Sequence, residues 1–353
     1  MKTRLAAINV DLDEIPNYYA IHGLTPIEPR RPWSTTWRSR GSFRLGVARG
    51  AAHALRRRLR SRAFESAAAL RAARLKGARW RDHTLDHRYD LTRLTPDEMR
   101  AQVWGGIDAI AVATGEEPLG FRAPGYTITD ELFGILREAD VAYDASVFPC
   151  PAYYAAKTAA IGLIALRGRT SRSIVDTPEV LFAPRGPYRI SDPYWRVGSG
   201  MLEIPVQVTR GPRLLFIGTS VTLAGPDRAR LLAELCVDEP LVNLELHGID
   251  VLDAADGLEP LRPHQPDVRV PKERKLAALE AVTDVLEKAG YGFVTMREAA
   301  RFKKRPAEPA LVRRVIASAR QRGLTRSGRA SRGRSVMAAI RSSDVSGVVA
   351  KSR

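Results

Sequence analysis

His83-Thr84-Leu85-Asp86-His87 places two imidazoles four residues apart. On a helix or within one turn, such a pair shares one side and can hold a divalent ion. Two nitrogens are an incomplete set, and the usual third ligand is a carboxylate. The chain offers one near its start. Leu5-Ala6-Ala7-Ile8-Asn9-Val10 reads as a strand buried on both faces, and it runs into Asp11-Leu12-Asp13-Glu14. Strand ends are where ligands and catalytic groups gather in α/β folds.

Asp13, His83 and His87 would leave one coordination position open, which marks a catalytic rather than a structural metal site. A metal there activates water and polarises a carbonyl. Hydrolysis also needs a base for the water's proton and an acid for the leaving nitrogen. Asp11, two residues from a ligand, is the candidate base. His247, alone at the end of the strand Leu241–Leu246, is the candidate acid. Arg122 can orient Asp11 through a bidentate pair. Together these residues describe hydrolysis of an amide or ester. Each has a plainer reading as well: H-x-x-x-H and D-x-D arise by chance, and Arg122 could pair with a surface acid. What favours hydrolysis is their coincidence, each beside a predicted strand or helix.

The elements that must position them alternate. Thr95-Pro96-Asp97-Glu98 is a helix start, with Thr95 as cap, Pro96 in the first position and Glu98 closing a capping box. That helix should run to Thr114 and stop at Gly115. Thr129 caps a second helix over 130–138, and further helices are expected over 155–166, 227–236 and 274–289. Strands are expected at 141–144, 202–206, 214–217, 241–246 and 293–295. The alternation predicts a (β/α) barrel or a doubly wound sheet. The first strand lacks a Gly-rich phosphate loop, which disfavours a dinucleotide fold. Pro16–Tyr19 and His22-Gly23 read as a loop lining a cleft. Residues 167–200 read as a long excursion whose Pro193-Tyr194-Trp195 could shape a substrate site.

With 353 residues, 44% of them hydrophobic, the chain can build one large α/β domain plus appendages. Two cysteines, Cys150 and Cys236, are too few for a disulfide scaffold and read as small buried hydrophobes. The N-terminus does not read as a signal peptide, and no stretch approaches ~18 charge-free apolar residues. A cytoplasmic protein without a transmembrane segment is therefore expected. Residues 30–62 hold eleven arginines and no acid, and residues 301–353 hold fifteen Lys/Arg against two acids. Their combined charge exceeds the chain's net +17, so the remainder is net acidic. The segment 301–353 reads as a basic, disordered tail, able to make weak electrostatic contact with anionic lipid or nucleic acid at the membrane periphery.

Five stretches resemble the motifs of the polysaccharide deacetylases (carbohydrate esterase family four), in order. They are Val10-Asp11-Leu12-Asp13, His83–His87, Phe121-Arg122-Ala123-Pro124-Gly125-Tyr126, Tyr143-Asp144-Ala145-Ser146-Val147-Phe148-Pro149 and Leu244-Glu245-Leu246-His247-Gly248. The D-x-D form of the first is similar to that of sugar deformylases. The resemblance implies a distorted (β/α) barrel of about seven strands over residues 1–300. It makes Asp11 the base, Arg122 its holder and His247 the acid. Asp13, His83 and His87 become the ligands of one divalent ion, zinc first, with cobalt, nickel or manganese as alternatives. Asp144, Tyr126 and Trp195 would shape the substrate site. The implied activity is removal of an N-acetyl or N-formyl group from an amino sugar in a glycan or lipid-linked sugar. Two other readings stay open: an inactive barrel that binds nucleic acid or acidic glycan through its basic segments, and a metal-dependent amidase for a small non-sugar substrate. The chain departs from the family at Arg56-Arg57-Arg58-Leu59-Arg60, where an apolar strand is usual, and at Gly77–Asp82. Residues 51–59 read as irregular-to-helical and Glu65–Lys76 as a helix. The segment 30–63 reads like a frame error or a degenerate stretch.

Overall fold

The computed structural model describes residues 4–12, 15–24, 52–55, 79–175 and 177–303, with the backbone alone at 12, 15–16, 52–55 and 302–303. Asp13, the expected helix at 65–76 and the tail beyond Lys303 lie outside the described residues.

Nine strands and eight α-helices are described. The strands are β1 (Arg4–Leu12), β2 (Ala52–Leu55), β3 (Arg79–Arg81), β4 (Gly120–Phe121), β5 (Tyr143–Asp144), β6 (Tyr188–Ile190), β7 (Val197–Glu203), β8 (Leu241–His247) and β9 (Tyr291–Phe293). The helices are α1 (Ile15–Ile21), α2 (Pro96–Thr114), α3 (Asp130–Glu138), α4 (Pro151–Leu166), α5 (Gly218–Ala224), α6 (Pro226–Glu234), α7 (Lys272–Lys288) and α8 (Met296–Lys303). One sheet runs β3-β2-β1-β8, with β9 beside the start of β1, and the other runs β4-β5-β7-β6.

Two links bring the sheets together. A parallel bridge pairs Asp82, just past β3, with Phe121 of β4. Past β7, Gln207 N donates to Asn243 O at 3.2 Å, and Asn243 Nδ2 donates to Ile204 O and Pro205 O at 3.0 and 2.9 Å. Seven parallel strands, β1, β2, β3, β4, β5, β7 and β8, thereby form a distorted barrel, as expected. The antiparallel β6 extends β7.

Local chemistry sets the boundaries. Thr95 and Glu98 close the capping box of α2, and Gly115 ends that helix in the left-handed region at φ 75°. Thr129 caps α3 by accepting from Leu132 N. β1 and β8 are apolar on the outer face, where Ile8, Val10, Leu244 and Leu246 pack with Leu279 and Val282 of α7.

Some expectations fail. The backbone at 52–55 is a strand, not irregular or helical. It pairs in parallel with β1 (Asn9↔Ala52 to Leu12↔Leu55) and with β3 (Ala52↔Arg79). A ladder on both sides outweighs the helix propensity of Ala, Leu and Arg. The expected cleft loop at 16–19 lies in α1, with Tyr18 and Tyr19 buried beside Ile249, Leu252 and Leu261. The expected strand at 214–217 amounts to one antiparallel bridge, Val208↔Leu215. No helix among the described residues is long and apolar enough to cross a membrane.

Candidate active site

β1 and β8 lie side by side with Asp11 opposite His247 and Asn9 opposite Glu245. The period of two puts Asn9 and Asp11 on one face of β1, and Asn243, Glu245 and His247 on one face of β8. That face is the polar interior at the end of the barrel. Asn9 Nδ2 donates to Asn243 Oδ1 at 2.8 Å, which ties the two strands beneath the site.

Asp11 is buried between two arginines. Arg81 Nη2 donates to its Oδ1 at 2.9 Å, and Arg122 Nη1 reaches both oxygens at 3.3 and 3.4 Å. Burial pushes the carboxyl up, but Arg122, then His83, Arg81 and His247, outweigh it and hold it at about 2. Asp11 is therefore ionised throughout the neutral range. Arg122 is itself fixed from below, since its Nε donates to Ala145 O at 2.8 Å.

His247 faces Asp11 across the ladder. Its Nδ1 lies 3.2 Å from Glu245 Oε1, and its backbone N donates to Asp250 Oδ2 at 2.7 Å. Tyr126 donates its hydroxyl to Glu245 Oε2 at 2.8 Å. Burial lifts Glu245 to about 7, against the pull of His247, and lifts Asp250 to about 6. Ligand atoms of Asp11, Glu245 and His247 lie within 4.8 Å of one another, so these three form a group able to hold a divalent ion.

His83 and His87 stand in the loop after β3, with ring centres 4.7 Å apart and edge to face. Thr84 and His87 take positive φ, 64° and 52°, which turns the loop sharply enough to bring both rings together. His83 Nδ1 lies 2.6 Å from Arg122 O. A carbonyl only accepts, so Nδ1 carries a proton, and Nε2 is the nitrogen left for a metal. That is the usual state of a metal-ligating histidine. The His pair therefore fits a divalent ion, beside an Asp11 that two guanidinium groups already hold.

Of the three residues expected to shape the substrate site, Tyr126 and Asp144 are buried and Trp195 is half-buried. Tyr126 is buried and holds Glu245. Trp195 packs edge-on against Tyr194, ring centres 5.2 Å apart, beside the core built on α3. Asp144 is fully buried at the end of β5, where its Oδ1 accepts from Ser146 Oγ at 2.7 Å and its Oδ2 from Ser146 N at 2.8 Å. Ser146 Oγ in turn accepts from Ala123 N at 2.8 Å, next to Arg122. Glu203 of β7 stands opposite Asp144 in register, with its Oε1 accepting from Val147 N at 3.1 Å.

Burial, then Asp144, push Glu203 well above the usual carboxylate range, and burial also raises Asp144. A raised carboxyl stabilises the fold below its unfolded pKa, and that stability is lost as pH rises through the folded value. Glu203→Gln keeps the shape and cannot ionise. Its melting temperature should gain on wild type as pH rises from about 5 to 9, whereas Glu203→Leu should be less stable at every pH. A pH-independent gap between Gln and wild type would show that Glu203 does not titrate in this range.

Glu245 was missed, although the alternation Asn243-Leu244-Glu245-Leu246-His247 carries the signal of an inward polar residue. Arg81, between Trp80 and Asp82 on a three-residue strand, carried no such signal.

Residues 53–143 match the profile of the family described as polysaccharide deacetylase. This span runs from β2 to the start of β5 and includes His83, His87 and Arg122. No curated protein matches the chain. Among solved structures, a provisionally assigned polysaccharide deacetylase from Mycobacterium smegmatis is 16% identical over 85% of this chain and 90% of that one, with a TM-score of 0.48. A family 4 carbohydrate esterase from Streptomyces lividans is 9% identical over 84% of this chain and 93% of that one, with a TM-score of 0.40. A 4-alpha-glucanotransferase from Thermococcus litoralis is 14% identical over 87% of this chain and 41% of that one, with a TM-score of 0.50, a likeness of fold.

Proposed function

We propose that the protein is a metal-dependent hydrolase that removes an N-acetyl or N-formyl group from an amino sugar in a glycan or glycolipid. The observation that carries this reading is Asp11, held ionised by Arg81 and Arg122 directly across from the Glu245-bound His247. A base and an acid then stand side by side at the end of β1 and β8. The histidine pair lies next to them. The family match over residues 53–143 supports the class.

His83 and His87 would hold one divalent ion, with Asp13 as the carboxylate ligand. The N/O donor set suits zinc first, and cobalt, nickel or manganese next. When bound, the ion supplies Lewis acidity toward the acyl carbonyl and the attacking water. Asp11 accepts the water's proton, and Arg81 and Arg122 keep its oxygens aimed. His247 gives a proton to the leaving nitrogen, which departs poorly as an anion. Glu245, steadied by Tyr126, fixes the imidazole through Nδ1. The buried, unpaired thiols of Cys150 and Cys236 accord with a reducing compartment, the cytoplasm.

Metal content and acyl release test this reading together. His87→Ala should lose stoichiometric metal and its activity on N-acetyl and N-formyl sugars, while Glu245→Gln should keep the metal. The opposite outcome would move the ion to Asp11, Glu245 and His247, the cluster within 4.8 Å. Wild type without acyl release on any amino sugar, yet binding acidic glycan, would favour the non-catalytic barrel, a reading to which the Arg81 clamp on Asp11 lends weight. Release from small non-sugar amides alone would favour the amidase.

A further inference from the structure

α4 runs for 16 residues, Pro151 to Leu166, and carries one charge, Lys157. Its inner side is settled. Tyr154 is buried, Lys157 Nζ donates to Gly125 O at 2.9 Å, and Tyr153 packs on Tyr126 with ring centres 5.5 Å apart. The inner side of α4 thus backs Tyr126, which holds Glu245. Its outer side departs from the rule for a surface helix. From Ala152 to Leu166 the exposed residues are alanines, Thr158, Gly162, Leu163 and Leu166, with Leu163 48% and Leu166 86% exposed. A water-facing side normally carries charged groups, and a contiguous apolar one marks a partner.

Charge says what the partner is. Residues 145–175 hold four cations, Lys157, Arg167, Arg169 and Arg172, and no acid. Arg167 follows Leu166 directly and is exposed, whereas Arg169 is half-buried and its Nη1 reaches His22 O at 3.5 Å. Arg172 faces Asp90, which Arg88 already holds through two hydrogen bonds of 2.7 and 2.8 Å. A second copy of the chain packed on α4 would bring the same acid-free segment against itself, with no compensating charge. An anionic phospholipid surface supplies both an apolar phase and that charge. At about 1.5 Å per residue the helix is too short to cross the ~30 Å hydrocarbon core. It suits a helix lying in the plane of the interface.

We propose that α4 docks on an anionic phospholipid bilayer, with Leu163 and Leu166 entering the headgroup–acyl boundary and Arg167 at lipid phosphates. This goes beyond the hydrolase reading and does not depend on it.

Co-sedimentation of the full-length protein with phosphatidylcholine vesicles, with and without phosphatidylglycerol, tests the docking. Wild type should partition onto the anionic vesicles and poorly onto the neutral ones. Leu163→Glu/Leu166→Glu, at exposed positions, should keep the wild-type melting temperature and lose about tenfold or more of the partitioning. Arg167→Ser should lose roughly five-fold, as one cation near the surface does. Three results would overturn the proposal: no partitioning by wild type, equal partitioning by the double-Glu variant, or equal partitioning onto neutral vesicles. The second would assign the binding to basic segments elsewhere in the chain. A wild-type dimer in sedimentation velocity that the double-Glu variant abolishes, without vesicle binding, would assign the face to a second copy. Acyl hydrolysis enters none of these readouts, so neither idea's failure touches the other.

Discussion

Asp11→Asn should slow acyl hydrolysis by ~10²–10⁴ while the metal stays bound. The amide keeps the shape of the carboxylate and still meets Arg81 and Arg122, but it cannot take a proton from water. Because the native carboxyl is held at about 2, its own ionisation leaves no trace in the rate above the acid extreme. An acid limb nearer neutrality would report another group, and it should persist in the variant. Stability changes too. Asp11 is depressed in the fold, so its contribution is present above the unfolded pKa and is lost as pH falls through about 2. The variant should therefore be less stable at neutral pH, by roughly 3–5 kcal/mol for a broken buried ion pair. That deficit should shrink in strong acid. Wild-type kcat/KM in Asp11→Asn, at equal metal content, would remove Asp11 from the role of base.

How far the site could be read from residues alone depended on where each one sits. Asp11 and His247 were legible because each ends an apolar strand, and the fold needs only one ladder to bring them opposite each other. The boundaries of α2 and α3 were legible because Thr95, Pro96, Glu98, Gly115 and Thr129 each have a local reason to be there. β2 was hidden. Four residues flanked by arginines become a strand only through partners on both sides, β1 and β3, and that is tertiary information. Arg81 was hidden for the same reason: a single inward arginine on a three-residue strand has no period. Tyr126 and Asp144 stood out by their motifs, but their buried partners, Glu245 and Ser146, are a matter of packing that spacing does not reveal. Glu203 emerged only with the register of β5 and β7.

Arg122→Met should cost roughly 3–5 kcal/mol of stability and most of the activity. Arg122 is wholly buried, and its guanidinium makes three kinds of contact: Asp11 Oδ1, Asp11 Oδ2 and Ala145 O. A methionine of similar length fills the space and removes all of them, which leaves Asp11 with Arg81 and strands a buried carbonyl. The backbone of Arg122 also accepts from His83 Nδ1, so a shift there would turn His83 and weaken the metal by ~10–100-fold. Arg122→Lys is not a mild change, because one ammonium cannot meet a bidentate carboxylate and Ala145 O together. It should keep most of the stability and lose much of the rate. The cycle with Asp11→Asn separates pairing from packing. If Arg122 acts through Asp11, the double variant should be less destabilised than the two single losses combined, by ~0.5–3 kcal/mol in urea unfolding. Strict additivity would mean that Arg122 holds the fold through Ala145 alone, and that Arg81 by itself sets the charge of Asp11.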